Sequence, residues 1–235
     1  MLWDARPGVR YDARMTPWEI IDNTATRDGD DLILARTDER WEVLSGYRML
    51  MTSELHASEE ALAQLALERH GSAKRVLVGG LGLGFTLRAT LDLLPHDGEV
   101  VLAETSDALV RWNRTHLAEL ARRPLEDARV KLVMGDVCDR IAESHQAFDA
   151  ILLDVDNGPV ALVHTTNDRL YGVEGVQACF RALRPRGVLA IWSSHPDDAF
   201  LEHLRGLGLK GEAITVPDGG EEGGEHVILL ASAGS

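Results

Sequence analysis

The sequence predicts an α/β fold: a doubly wound, mostly parallel seven-stranded sheet, preceded by a small β-hairpin and helix region. Three observations carry this. From residue 74 onward, short apolar runs alternate with helix-like stretches, which implies parallel strands joined by right-handed crossovers. The last two runs, 209-LKGEAITVP-217 and 225-EHVILLAS-232, have only a Gly- and Glu-rich loop between them, so one strand near the end is antiparallel. The first run ends in the glycine cluster of 76-VLVGGLGLGFTLRATL-91, a tight strand-to-helix turn at the place where such sheets bind ligands.

Along the chain, residues 1–30 read as polar and irregular, closing on 28-DGDD-31. The segments 31-DLILART-37 and 40-RWEVLSG-46, joined by a charged turn, form the hairpin. In 54-ELHASEEALAQLALERHG-71, Leu55, Ala61, Leu62, Leu65 and Ala66 fall at helical spacing. Ser58 before acidic residues serves as a start signal and Gly71 as a stop. The chain divides into an N-terminal hairpin and gatekeeping-helix region, 1–70, and a nucleoside-binding domain, 71–235. Within the latter, strands 74–80, 99–105, 129–136, 148–156 and 187–194 alternate with helices 85–95, 107–120, 137–145 and 173–185. Helix 198–208 precedes the closing strand pair.

Composition bounds the function. Apolar residues make up 45% of the 235 and charged residues 26%, a globular profile. No apolar run approaches the roughly 20 residues needed to span a bilayer. The amino terminus lacks the apolar core of a signal peptide, so a cytoplasmic location and no membrane partner are expected. Cys138 and Cys179 are the only cysteines, and the nine histidines show no H-x-x-x-H spacing. Neither a disulfide framework nor a metal site is predicted. A net charge of −14 argues against nucleic acid, which needs a basic face, and suits a cationic or polar small-molecule acceptor.

Chemistry concentrates at the strand ends. Gly80, Gly82 and Gly84 give G-x-G-x-G, whereas the dinucleotide pattern G-x-G-x-x-G would place its third glycine at Phe85. The observed spacing is that of S-adenosylmethionine-binding folds. The glycines serve either the turn alone or a ligand lying against the backbone. Glu104 ends the next strand, where a carboxylate can accept both ribose hydroxyls. Asp136 and Asp154 end the third and fourth strands, placed for the adenine amino group and the donor's reactive end. A carboxylate closing an apolar strand is costly to keep unpaired, and clefts are where such residues are kept.

On 76-VLVGGLGLGFTLR-88, Glu104, 135-GD-136, 149-DAILLDVDNGP-159 and 170-LYGVEGVQACFRALRPRGVLAIW-192, the chain resembles the spermidine synthase-like family of polyamine aminopropyltransferases. That family is built on the class I S-adenosylmethionine-dependent methyltransferase fold. The resemblance runs from about residue 30 to 232 and includes 45-SGYRMLMTSELHASEEALAQLAL-67 as the gatekeeping helix region. It implies S-adenosylmethionine or decarboxylated S-adenosylmethionine as donor and a possible homodimer. It also implies Glu104 at the ribose, Asp136 at the adenine, and Asp154 as the carboxylate that positions and deprotonates the attacking amine. In ungapped register from Gly46, Glu60 takes the place of the family's helix glutamate. Tyr171 comes after the substrate loop, as site wall or as core.

Several family features are rewritten. Leu83 stands for an aspartate that grips the donor amine, Ser58 for a tyrosine, Met49 for a glutamine, and DVDNGP for the usual D-[ST]-[ST]-D-P loop. Methyl transfer to another acceptor, or a silent nucleoside-binding scaffold, is therefore the alternative to aminopropyl transfer. Asp156 either contacts the acceptor or caps its turn. His56 and His164 lie in acceptor-side segments, Cys138 lies under the adenine or in the core, Trp112 and Trp192 in the core, and 193-SSHPDD-198 caps a helix.

Overall fold

The computed structural model describes residues 18–25, 31–38, 40–46, 48–155, 168–220 and 224–233. Asp156, Asn157, Gly158, Pro159 and His164 lie outside them. Two compact units are present, Met1–Thr52 and Ser53–Ser235.

The first unit is an antiparallel sheet in the order of the chain: β1 (Glu19–Ala25), β2 (Asp31–Thr37), β3 (Arg40–Ser45) and β4 (Arg48–Thr52). The predicted hairpin is its centre, paired from Leu32↔Ser45 to Thr37↔Arg40, with Leu34 and Val43 fully buried opposite each other. The expectation of irregular chain through residue 30 is corrected by β1. EIIDNTA has no buried residue and so no period-2 signal; its pairing with β2 makes it a strand.

The second unit is the seven-stranded sheet. Its strands are β5 (Arg75–Gly79), β6 (Glu99–Glu104), β7 (Val130–Met134), β8 (Phe148–Leu153), β9 (Leu183–Ser193), β10 (Leu209–Pro217) and β11 (Glu225–Ala233). Their order is β10-β11-β9-β8-β5-β6-β7. Strands β5 to β9 run parallel, and β11 is antiparallel to both β9 and β10. The chain winds outward from β5 through β6 to β7, then returns to the other side of β5 with β8. The carboxyl ends of β5 and β8 thus flank the reversal point, where such sheets open a crevice.

Helices cover both faces: α1 (Ala57–His70), α2 (Phe85–Leu93), α3 (Asp107–Arg114), α4 (Val137–Ala142), α5 (Asp168–Tyr171), α6 (Val173–Ala182) and α7 (Asp198–Gly206). Within β5, Leu77 faces one apolar layer with Ile151, Val176 and Leu204, while Val76 and Val78 face the other with Leu62, Leu87 and Leu91. Burial on both faces explains why the strands read as continuous apolar runs. No helix among the described residues is long and apolar enough to cross a membrane.

Three details depart from expectation. Helix α3 stops at Arg114 rather than 120, because Thr115 bonds its hydroxyl back to the Arg111 carbonyl and the Leu117 amide reaches back to Trp112. Helix α1 packs Leu62, Ala63 and Ala66 into the sheet's core, so the packing boundary falls after Thr52 and not at 70. Ser58 is no start signal: α1 begins at Ala57 without a side-chain cap.

Candidate active site

The strand ends are bound together by their own backbone. The Gly80 amide donates to the Ala103 carbonyl at 2.9 Å, and the Asp154 amide donates to Gly79 at 2.9 Å. Gly80 has φ +91°, and a Cβ there would lie 2.0 Å from the Asp154 carbonyl oxygen, so only glycine lets β5 and β8 exit side by side. Gly84, at φ +93°, is the N-cap of α2, and a Cβ on it would crowd Asn113 Oδ1 at 2.9 Å. The Gly82 carbonyl accepts Asn113 Nδ2–H at 2.9 Å. Gly80 and Gly84 therefore have a structural requirement of their own, whatever lies against them.

Glu104 ties the loop to β6. It is 6% exposed; Oε2 accepts the Leu81 amide at 2.8 Å and Oε1 the Ser106 amide at 2.7 Å. Burial raises its pKa, and those amide bonds oppose the rise. Thr105 hydrogen-bonds the same carboxylate through its amide and its hydroxyl, so a ribose diol would take the place of these local bonds. Asp136 caps α4, with Oδ1 accepting the Cys138 amide at 2.8 Å and Oδ2 lying 3.8 Å from Arg169 Nη1. Cys138 belongs to the core, its thiol pushed up to about 12 by burial and the nearby Asp136.

Asp154 comes directly after β8 and accepts the Thr86 hydroxyl at 2.6 Å, from a threonine that is 1% exposed in the first turn of α2. Burial and the Glu104 charge lift its pKa to about 6, with the Thr86 bond pulling the other way. Glu59, from the first turn of α1, is the second carboxylate here. Burial, then the charge of Asp154, raises it to about 8. The charges acting on this pair, among the described residues, are other carboxylates. Carboxylates raised by neighbouring negative charge favour binding a cation.

Glu60 lies on the outer side of the same turn. Its side chain is 55% exposed and lies 3.4 Å from His56 Nε2 on the same helix, while Glu59 is the glutamate under the influence of Asp154. The ungapped count from Gly46 crosses a β-bulge in β4, where Met51 and Met49 oppose Val43 and Leu44 and leave Leu50 extra. A register carried through a bulge can slip by one residue. Tyr171 is 6% exposed in the core, edge-on to Phe200 at 6.1 Å. The His56 ring lies 4.0 Å from that of Phe85, Leu83 is 5% exposed, and Asp197 caps α7 as the 193–198 run suggested.

Sequence reasoning missed Glu59, Thr86 and the surroundings of Ser58. That serine is fully buried and meets Trp192 Nε1 at 2.9 Å and His226 Nδ1 at 3.1 Å. Thr86 had a usable signal, a hydroxyl two residues past the last glycine at the helix start. The others had none.

The family model described as Spermine/spermidine synthase domain matches residues 55–203. A polyamine aminopropyltransferase 2 of Hyperthermus butylicus is 31% identical over 160 residues, covering 66% of this chain and 49% of that protein. The chain spans about half or less of the length of the curated relatives it matches. In fold it is similar to the spermidine synthase from Thermotoga maritima, with a TM-score of 0.75 at 20% identity over 92% of this chain and 73% of that one. It is also similar to the O-methyltransferase TomG from Streptomyces achromogenes, with a TM-score of 0.54 at 20% identity over 75% and 79%.

Proposed function

The chain belongs to the spermine/spermidine synthase domain family, and from that premise we propose that it is a transferase moving the aminopropyl group of decarboxylated S-adenosylmethionine to a small cationic amine. The observation that carries this reading is Asp154, placed beside the glycine loop by its amide bond to Gly79 and held by the Thr86 hydroxyl at 2.6 Å. An ammonium cannot attack until it loses a proton, and a carboxylate can both hold the cation and take that proton.

The residues fit the donor. Glu104 stands at the end of β6, where a ribose diol can replace its bonds from Thr105, Asp136 stands at the next strand end for the adenine amino group, and Gly80, Gly82 and Gly84 leave the turn without side chains. The donor's sulfonium supplies an electrophilic carbon. Asp154 orients the amine toward it and accepts its proton, Thr86 holds Asp154 in place, and Glu59 adds a second carboxyl that can hydrogen-bond the acceptor. Asp156 is kept in the proposal as an auxiliary acceptor contact and Tyr171 as packing behind the site. A homodimer is part of the proposal, testable by sedimentation.

Methyl transfer from S-adenosylmethionine is the second reading. Leu83, apolar and buried, stands where the resemblance places the carboxylate that grips the decarboxylated donor's amine. Calorimetry with S-adenosylmethionine, its decarboxylated form and methylthioadenosine separates the two, and incubation of labelled donor with a panel of amines comes next. Methylthioadenosine as product supports aminopropyl transfer, and S-adenosylhomocysteine supports methyl transfer. Binding with neither product points to a silent scaffold. No binding of any of the three nucleosides ends the proposal.

A further inference from the structure

The Ser58 hydroxyl meets three polar groups in a fully buried position: Glu59 Oε2 at 2.8 Å, Trp192 Nε1 at 2.9 Å and His226 Nδ1 at 3.1 Å. A serine hydroxyl has one proton and two lone pairs, and an indole nitrogen only donates. Trp192 therefore takes one lone pair, leaving one lone pair and one proton for Glu59 and His226. If Glu59 is ionised, it accepts the serine proton and His226 must donate from Nδ1. If Glu59 is protonated and donates to Ser58, the hydroxyl turns to His226, whose Nδ1 must be bare with its proton on Nε2. The protonation of the two residues is coupled through one oxygen, although they lie at opposite ends of the unit's sequence.

We propose that Ser58 and His226 form a proton relay between Glu59 and solvent. The O–H bond of Glu59 breaks as its proton joins Ser58 Oγ, the former Ser58 proton bonds to His226 Nδ1, and His226 releases its Nε2 proton to water. This rests on the reading of Asp154 as the proton acceptor, with Glu59 as the neighbour that receives the proton next. Supporting chemistry surrounds both ends. Asp154 and Glu60 act on Glu59, which burial first, and then Asp154, raise to about 8. Burial lowers His226, opposed by Asp218 and assisted by His195. Between those two titrations both residues are neutral, so Glu59 holds a proton to give and His226 Nδ1 is free to take one, leaving Glu59 as the carboxylate once the proton reaches water. His226 is partly exposed, and its ring lies 4.6 Å from that of Trp192.

Nuclear magnetic resonance on the whole chain tests this without donor or acceptor. The Glu59 carboxyl carbon and the His226 ring nitrogens are monitored together from pH 5 to pH 10. The relay requires His226 Nδ1 to change from a bare, pyridine-type nitrogen to a protonated, pyrrole-type one as pH rises through the Glu59 midpoint, with one shared midpoint. Ser58→Thr, which keeps the hydroxyl, retains the switch, and Ser58→Ala loses it. A His226 tautomer that stays fixed while Glu59 titrates overturns the relay, and this wild-type result decides even if Ser58→Ala does not fold. Transfer activity without the switch removes the relay and leaves the proposed function standing. The switch without any transfer activity does the reverse.

Discussion

Glu59→Gln is expected to stabilise the protein, and to do so only above acidic pH. Glu59 sits at about 8 in the fold against an ordinary 4.5. A carboxyl whose folded pKa is raised costs nothing below its unfolded value. The cost grows as pH climbs from 4.5 and is complete above about 8. That difference corresponds to about 5 kcal/mol at full value. Part of it belongs to repulsion shared with Asp154, and the residue is not wholly buried, so about 2–3 kcal/mol is the expectation at pH 9 after screening. Glutamine keeps the acceptor for the Ser58 hydroxyl, so no buried donor is stranded. Urea unfolding of wild type and variant at pH 4.5, 7 and 9 reads the effect as a gap that opens with pH. A constant gap, or a variant less stable than wild type at pH 9, refutes the argument that Glu59 is held in an unfavourable charged state.

Three further outcomes rest on the same geometry. Asp154→Asn keeps shape but removes charge and basicity, so turnover falls about 10²–10⁴-fold while calorimetric donor affinity changes little; near-full turnover would remove Asp154 from the mechanism. Glu104→Ala weakens methylthioadenosine binding by about 1.5–3 kcal/mol, the scale of hydrogen bonds to a charged group, and also frees the Leu81 and Ser106 amides, so thermal melting should register it without ligand. Unchanged affinity excludes the ribose role. Gly80→Ala puts a methyl 2.0 Å from the Asp154 carbonyl at φ +91°, and a loss of more than about 3 kcal/mol is expected in denaturant titration; near-normal stability would mean that the β5 and β8 exits can part.

The sequence by itself determined the sheet, its antiparallel closing strand, the glycine turn and the carboxylates Glu104, Asp136 and Asp154. The reason is local periodicity: strands buried on both faces read as apolar runs, and the first glycine or carboxylate after such a run marks the strand end. Only tertiary structure decided the rest. β1 is a strand because β2 pairs with it, not because its side chains alternate. α3 ends where Thr115 turns on its own helix. Glu59 is more buried than Glu60 because one step around a helix changes which side chain faces inward, and no spacing rule reports that through a bulged strand. Thr86 meets Asp154 across 68 residues, and Ser58 meets His226 across 168. Such contacts arise when distant strands and helices are packed side by side, and a single polar pair leaves no period in the chain from which it could be read.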